Sequence, residues 1–509
     1  MLKRSLLLAG GVIAALVLLS PGLVPDMGRA MAQSGGFGKN KVQYREFDWH
    51  YISTEHFDIY FYEGGYDLAA FSADVLEEAY LKVSEQLNYR LRARVPVILY
   101  ESHNDFQQTN VTSSLLEEGV GGFTESLKNR MVMPFTGSYE DFRHVLHHEL
   151  THAVTFEKLY GPGMGSLISS RSLFQLPLWF AEGFAEYASR HGWDTFADMV
   201  IRDATVHGYL VPLQYVGGYL AYKQGQSALL FLAERYGEEK IAEIMSRGRF
   251  EASMDNSLKK AIGLGVDEFD EAWQKRLRKE YWPEISEREE PKDFARQLTD
   301  HEKDGTYLND RPAFSPRGDR LAVLSEYSDY TEVKIISTVD GQKLSRVLKG
   351  GRSDRFESLH SFLSGISFSP DGSTLALIAK SKGEDALFLV DVDGNGMDKV
   401  LRLGFASMRS PVIAPDGQSV VFAAARYDRD DLYQVDIATG TVRRLTDDRY
   451  DEQDADFDPT GTKLVFASDR PVDGPATLRL PDEQNPRTFS YGIYNIFEAD
   501  LTTGAVRPL

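Results

Sequence analysis

The sequence contains no cysteine, which excludes disulfides, thiolate nucleophiles, thiolate metal sites and a lipid-modified cysteine behind an export signal. It also lacks any apolar run of the about 18 residues that a membrane-spanning helix needs, so the mature chain reads as soluble, without membrane association. Basic residues are in deficit, 56 Lys and Arg against 76 Asp and Glu, for a formal charge of −20. Phosphate contacts need clustered Lys and Arg, so this balance argues against nucleic-acid binding. What is present is ordinary for a folded chain: 42% hydrophobic and 26% charged residues over 509 positions, enough for about three domains.

Residues 1–32 read as an export signal. Lys3 and Arg4 supply the charged start, Leu6 to Leu19 the apolar stretch, and Ala30-Met31-Ala32 a small-x-small cleavage site before Gln33. Pro21, Gly22 and Pro25 follow too closely for a comfortable span; an uncleaved anchor is the alternative. Export points to the periplasm, the cell envelope or the medium.

The remaining chain divides into four stretches. Residues 33–135 mix strand and helix: His56 to Phe61 alternates like a strand, Leu68, Phe71, Val75, Leu76, Ala79, Val83 and Leu87 share one helical face, and Val95 to Tyr100 and Arg130 to Phe135 read as strands. Residues 136–285 are helical. Ser138 with Glu140 and Asp141 makes a helix start whose acids complement the positive first turn. That helix stops before Gly161-Pro162-Gly163, Pro177 opens the next, and later helices are expected near 224–236, 238–247 and 267–280, with Trp282-Pro283 as the end. Residues 286–296 form a charged linker. Residues 297–509 are a repeat array.

Four segments carry the repeat: Phe314-Ser315-Pro316-Arg317-Gly318, Phe368-Ser369-Pro370-Asp371-Gly372, Ile413-Ala414-Pro415-Asp416-Gly417 and Phe457-Asp458-Pro459-Thr460-Gly461. Their prolines are 54, 45 and 44 residues apart, the length of a four-stranded propeller blade. Each ends in a pair suited to a tight turn, and a strand such as Leu375-Ala376-Leu377-Ile378 or Val420-Val421-Phe422-Ala423 follows at once.

Chemistry concentrates in His148-Glu149-Leu150-Thr151-His152. On a helix, residues four apart face the same way, so both imidazoles can reach one ion. Glu149 then stands beside the open coordination position, placed to take a proton from the attacking water. His144 lies four residues before His148 and is a rival ligand without a suitably placed glutamate. A second motif supports the first: Leu178 to Tyr187 is an apolar helix carrying Glu182 and Glu186 four apart, among Trp179, Phe180, Phe184 and Tyr187. Burying two unpaired carboxylates is costly; a metal ligand, with a second carboxylate holding a ligating imidazole, supplies a reason.

His148-Glu149-x-x-His152 followed by Trp179-Phe180-x-Glu182-Gly183-x-x-Glu186-Tyr187 resembles the gluzincin peptidases of the peptidase MA-like group. The resemblance covers about residues 50–285 and implies one zinc ion held by His148, His152 and Glu182. It implies Glu149 as general base and Glu186 as the residue behind the ligands. Tyr222-Lys223-Gln224-Gly225 resembles the Tyr-x-x-Gly that begins a helix in aminopeptidase-N-type gluzincins, which would make Tyr222 the oxyanion donor, with Tyr219 its nearest competitor. A strand drawn from Gly121 to Thr124 and Asn129 to Phe135 would be the sheet edge that pairs with an extended substrate. There is no Gly-x-Met-Glu-Asn-type segment, so endopeptidase action is expected over aminopeptidase action.

The repeats resemble TolB-like propellers, with Gln297-Leu298-Thr299-Asp300 and Arg444-Leu445-Thr446-Asp447 matching a blade-opening Leu-Thr-Asp. Such propellers usually hold six or more blades and about four are countable here, so either the sequence is part of a longer product, which is the expectation, or the propeller closes with few blades. The expectation is a multidomain protein: an α+β zincin-like metallopeptidase domain, then an all-β propeller that binds a protein partner or controls access. Its substrate would be a peptide or protein. Two alternatives stand beside it, a zinc hydrolase acting on a non-peptide acyl group and a non-catalytic envelope protein that binds through the propeller.

Overall fold

The computed structural model describes residues 42–509 apart from 113–115, 127, 162–174, 252, 287, 352, 394–395, 481–484 and 488. The export signal assigned to 1–32 therefore lies outside the described residues. Among those described, no helix is long and apolar enough to cross a membrane.

The N-terminal region is built on a five-stranded mixed sheet of β1 (His50–Ser53), β2 (Phe57–Phe61), β3 (Val95–Tyr100), β4 (Phe123–Glu125) and β5 (Arg130–Pro134), in the order β1-β2-β3-β5-β4. Phe57, Ile59 and Phe61 point to the core from alternate positions of β2, as Val95, Val97 and Leu99 do from β3. Helix α1 (Tyr66–Gln86) covers that face with the stripe Leu68, Phe71, Val75, Leu76, Ala79 and Val83. The strand drawn from Arg130 is not an edge: β5 pairs with β3 on one side and β4 on the other. The edge on this side is the short β4, which follows Gly121-Gly122 directly and pairs antiparallel with β5.

After the one-turn helix α2 (His103–Phe106), helix α3 (Tyr139–Tyr160) carries the His-Glu motif. Ser138 caps it, its hydroxyl accepting from the Asp141 amide at 3.2 Å, and Gly161 ends it at φ 79°. Helices α4 (Leu178–Ser189), α5 (Thr195–His207), α6 (Gly218–Tyr236), α7 (Glu239–Glu251), α8 (Met254–Ile262) and α9 (Val266–Ile285) complete the region. One hydrophobic cluster runs from Phe57 to Tyr281 through all of this. Helix α7 runs past the expected 247, helices α5 and α8 stand beyond the expected set, and two further boundaries differ. Helix α9 continues through Pro283, because a proline in a last turn withdraws only one amide, and Ser286 N closes onto Pro283 O at 3.3 Å. Tyr222 stands in the second turn of α6, which starts at Gly218.

Two short helices, α10 (Pro291–Phe294) and α11 (His301–Asp304), lead to four antiparallel four-stranded sheets. These are β6–β9 (Leu308–Phe314, Arg320–Tyr327, Tyr330–Ser337, Lys343–Gly350) and β10–β13 (Ile366–Phe368, Thr374–Ser381, Glu384–Asp391, Met397–Leu401). They continue as β14–β17 (Ser407–Ile413, Ser419–Arg426, Arg429–Asp436, Val442–Arg444) and β18–β21 (Glu452–Phe457, Lys463–Ser468, Asn495–Asp500, Val506–Pro508). The repeated turns place Gly318, Gly372, Gly417 and Gly461 at φ 70–75°, a conformation that costs other residues a steric penalty. Separate apolar clusters join the first sheet to the second, the second to the third and the third to the fourth. No such cluster joins the fourth to the first among the described residues.

The four sheets are docked on the N-terminal region through a polar seam. Tyr139, the first residue of α3, donates to Asp428 at 2.8 Å, and Arg449 reaches both Asp428 (2.5 Å) and Asp67 (3.0 Å). A Cβ on Gly137 would stand 2.4 Å from Asp451 Oδ1, so only glycine lets the helix start sit this deep. From the long connection between β19 and β20, Tyr491 stacks on Tyr139 at 5.4 Å and Arg487 pairs with Asp74 at 2.7 Å.

Candidate metal centre

The helical spacing of the His-Glu motif puts His148 and His152 on one side of α3, and α4 presents Glu182 to them. His152 Nε2 lies 3.0 Å and His148 Nε2 3.3 Å from Glu182 Oε2, and the two Nε2 atoms are 3.2 Å apart. A tetrahedral ion with bonds of about 2.0–2.1 Å has ligand–ligand edges of about 3.3–3.4 Å. Three atoms already close to that spacing, two imidazoles and one carboxylate, are a donor set that fits zinc. All three residues are largely buried; the Glu182 side chain is the most open, at 15%.

Glu186, one turn beyond Glu182, stands behind the triangle. Its Oε1 is 3.1 Å from His148 Nδ1 and 3.3 Å from His144 Nε2, and its Oε2 accepts from the Lys223 ammonium at 2.5 Å. The contact to His148 is close but bent away from hydrogen-bond alignment, as the unmatched Nδ1 records. Burial works against the charge of Glu186, yet the imidazoles of His144 and His148 outweigh it and hold the carboxyl well below its usual range. Glu182 is held low in the same way by His152 and His148. Burial likewise opposes the His148 imidazolium, but Glu182, Glu186 and Glu149 raise it to about 10. Glu182 and Glu186 thus stay charged around His148 despite their burial, a setting suited to a cation. His144, the rival ligand, belongs to a second cluster with His148 and Glu186; burial lowers its own ionisation to about 4.

Glu149 is buried on the neighbouring side of α3. Thr124 of β4, which the sequence reading did not single out, lies 2.7 Å from Glu149 Oε2 and 2.9 Å from its carbonyl oxygen, and its single hydroxyl proton serves one of them at a time. Lys223, the partner of Glu186, also went unassigned; a buried lysine inside a polar helix segment gives no signal in sequence. Tyr222 stacks on the His148 ring, with centroids 5.9 Å apart. Burial, then the carboxylates of Glu182, Glu149 and Glu186, raise its phenol above the ordinary range, so it stays a proton donor. Tyr219 stacks on the outer side of Tyr222 at 6.5 Å and is half exposed.

Close helix packing brings Tyr222 in. A Cβ at Gly183 would lie 2.3 Å from the Gly225 backbone carbon, and one at Gly225 would lie 2.0 Å from Trp179 O. The glycines of both motifs are the crossing point of α4 and α6, which explains their place in the sequence on packing grounds.

Residues 75–279 match the Peptidase MA superfamily, and residues 367–476 match the TolB beta propeller domain. The chain is 29% identical over 139 residues to a protein TolB homolog of Chlorobium luteolum, covering 26% of this chain and 27% of that protein. It is 26% identical over 121 residues to an uncharacterized protein of Agrobacterium fabrum, covering 23% of this chain and 41% of the other. The crystal structure of TolB from Acinetobacter baumannii is similar at 19% identity and a TM-score of 0.31, over 40% of this chain and 43% of that one. The chain thus spans 27% and 41% of the length of these two curated relatives. It carries a Peptidase MA superfamily domain followed by a TolB-like propeller domain.

Proposed function

We propose that the chain is an exported zinc-dependent metallopeptidase that hydrolyses peptide bonds, with the propeller as its binding or access module. The observation that carries this reading is the convergence of His148 Nε2, His152 Nε2 and Glu182 Oε2 beside Glu149. The Peptidase MA superfamily match over the same residues supports it.

When bound, zinc supplies Lewis acidity at the scissile carbonyl and a water that is nucleophilic near neutral pH. Glu149 accepts the proton of the attacking water on a carboxylate oxygen and returns it to the leaving amine. Tyr222 donates its phenol to the oxygen on which negative charge develops. Glu186 and Lys223 fix the orientation of His148 from behind. The free edge of β4 offers backbone groups to an extended peptide running past Glu149, which suits an endopeptidase. Residues 1–32 would direct the chain out of the cytoplasm.

The test is the metal content of the purified full chain beside a Glu182→Ala variant. Close to one zinc per chain, lost in the variant, is the expected result. A folded wild-type chain that binds no zinc would sink the enzyme reading and leave a non-catalytic, propeller-based binding role.

A further inference from the structure

The loop of residues 116–122 runs from contacts with the propeller to helix α3. Its last two residues lie along α3: a Cβ at Gly122 would stand 3.3 Å from both Cγ and Oε1 of Glu149, and one at Gly121 3.8 Å from Val145. Strand β4 and Thr124 follow directly. The loop's own conformation is held by a few contacts. Leu116 O accepts from Gln107 Nε2 at 2.9 Å, and Val120 O lies 3.3 Å from His103 Nε2.

Two of its holdfasts lead into the second propeller sheet. Glu118 Oε1 is 2.5 Å from His360 Nδ1, and its Oε2 accepts from Phe362 N at 3.4 Å. His360 Nε2 is 2.8 Å from Asp385 Oδ1, so both ring nitrogens face carboxylates; burial opposes the charged ring, but Asp385 and Glu118 favour it. Asp385 is fixed in turn by Asn104 Nδ2 and Met408 N, each at 2.8 Å. Gln107, which holds Leu116, accepts from Lys380 Nζ of β11 at 2.5 Å. His360 and Lys380 are both buried in the seam, where a charge-assisted bond is shielded from water and competes with little else.

We infer that the propeller's second blade is a positioning element for the peptidase cleft: His360, through Glu118, and Lys380, through Gln107, hold the loop that sets Gly121-Gly122 and the β4 edge against Glu149. The inference rests on the reading of Glu149 as general base and of β4 as the substrate edge. His360 and Glu118 touch no substrate in this scheme and act only by fixing the loop. The propeller is then a working part of the cleft and not only a partner-binding appendage.

The test is amide hydrogen exchange, read by mass spectrometry on peptides spanning 116–126, in the zinc-supplemented full chain. Wild type is compared with Glu118→Gln, His360→Gln, the double variant, and Glu117→Gln as an exposed neighbour on the same loop. Each single variant should speed exchange in 116–126 about tenfold. The double variant should be no faster than the faster single, because both singles break one contact, and Glu117→Gln should match wild type. Glu118→Gln probes the contact without touching the propeller's own fold. Zinc content should not change, and KM for a peptide substrate should rise about fivefold with an unaltered pH profile. Unchanged exchange in both singles would overturn the tether, as would equal loosening of residues 136–142 across the seam, which would mean general undocking. Because exchange needs neither metal nor turnover, a wild-type chain without zinc would overturn the peptidase reading and not the tether.

Discussion

Two groups of buried carboxylates, one at the candidate metal centre and one at the seam with the propeller, are ionised in opposite ways. At the candidate metal centre, burial opposes the charge of Glu182 and Glu186, but the imidazoles around them press both below the usual carboxylate range. At the seam with the propeller, burial pushes Asp469 and Glu101 up to about 8. Asp469 Oδ2 accepts from the capping hydroxyl of Ser138 at 3.3 Å, only about 15 Å of helix before His148. Burial alone therefore does not mark a functional acid. The centre surrounds its acids with groups that favour charge, whereas the seam leaves several acids to share a few cations, and some keep their protons. A pocket that stays anionic while buried is suited to a cation; a pocket that neutralises itself is suited to closing an interface.

The comparison can be tested at several strengths. Glu149→Gln should lower peptide turnover about 10³-fold with zinc still near one per chain, by steady-state assay and elemental analysis; loss of zinc instead would place Glu149 among the ligands. Tyr222→Phe should lower kcat about 10²-fold with KM little changed, whereas Tyr219→Phe should leave both near wild type, and the reverse would reassign the oxyanion donor. Gly183→Ala forces a Cβ into the Gly225 backbone and should cost about 1–3 kcal/mol in denaturant unfolding.

The smallest effect concerns pH. Asp469 and Glu101 keep their protons to about pH 8 when folded, but their ordinary values are 3.8 and 4.5. Between these limits the unfolded chain binds fewer protons, so stability should fall as pH rises from 5 to 8. The thermal midpoint should drop by roughly a few degrees over that window, and Asp469→Asn should flatten part of the slope. A midpoint that rises instead would mean that the seam acids are ionised.

Much of the centre was legible because its signals are local. Two histidines four apart on one helix can share an ion whatever the fold around them, and an apolar helix with two glutamates asks for a partner. The Ser138 cap, the repeat length and the glycine turns are local too, each resting on backbone geometry within a few residues. Thr124 and Lys223 were not legible. Each is an ordinary polar residue whose role comes from a strand or helix brought beside it by packing at a distance in sequence. The edge strand was drawn too long for the same reason, since pairing order decides which strand is outermost, and Arg130–Pro134 carries no mark of lying between β3 and β4.

What the sequence determined by itself is the set of chemical groups and their spacing along each element: the paired imidazoles, the carboxylates one turn apart, and the propeller repeat. What only the tertiary structure decided is which of those groups meet. The Gly183–Gly225 crossing sets Tyr222 against His148, and the docking of the second blade sets His360 against Glu118. Spacing along a helix or strand is fixed by bond geometry, so it can be read from the order of residues. Contacts between elements depend on how whole surfaces fit, and no local run of residues encodes that fit.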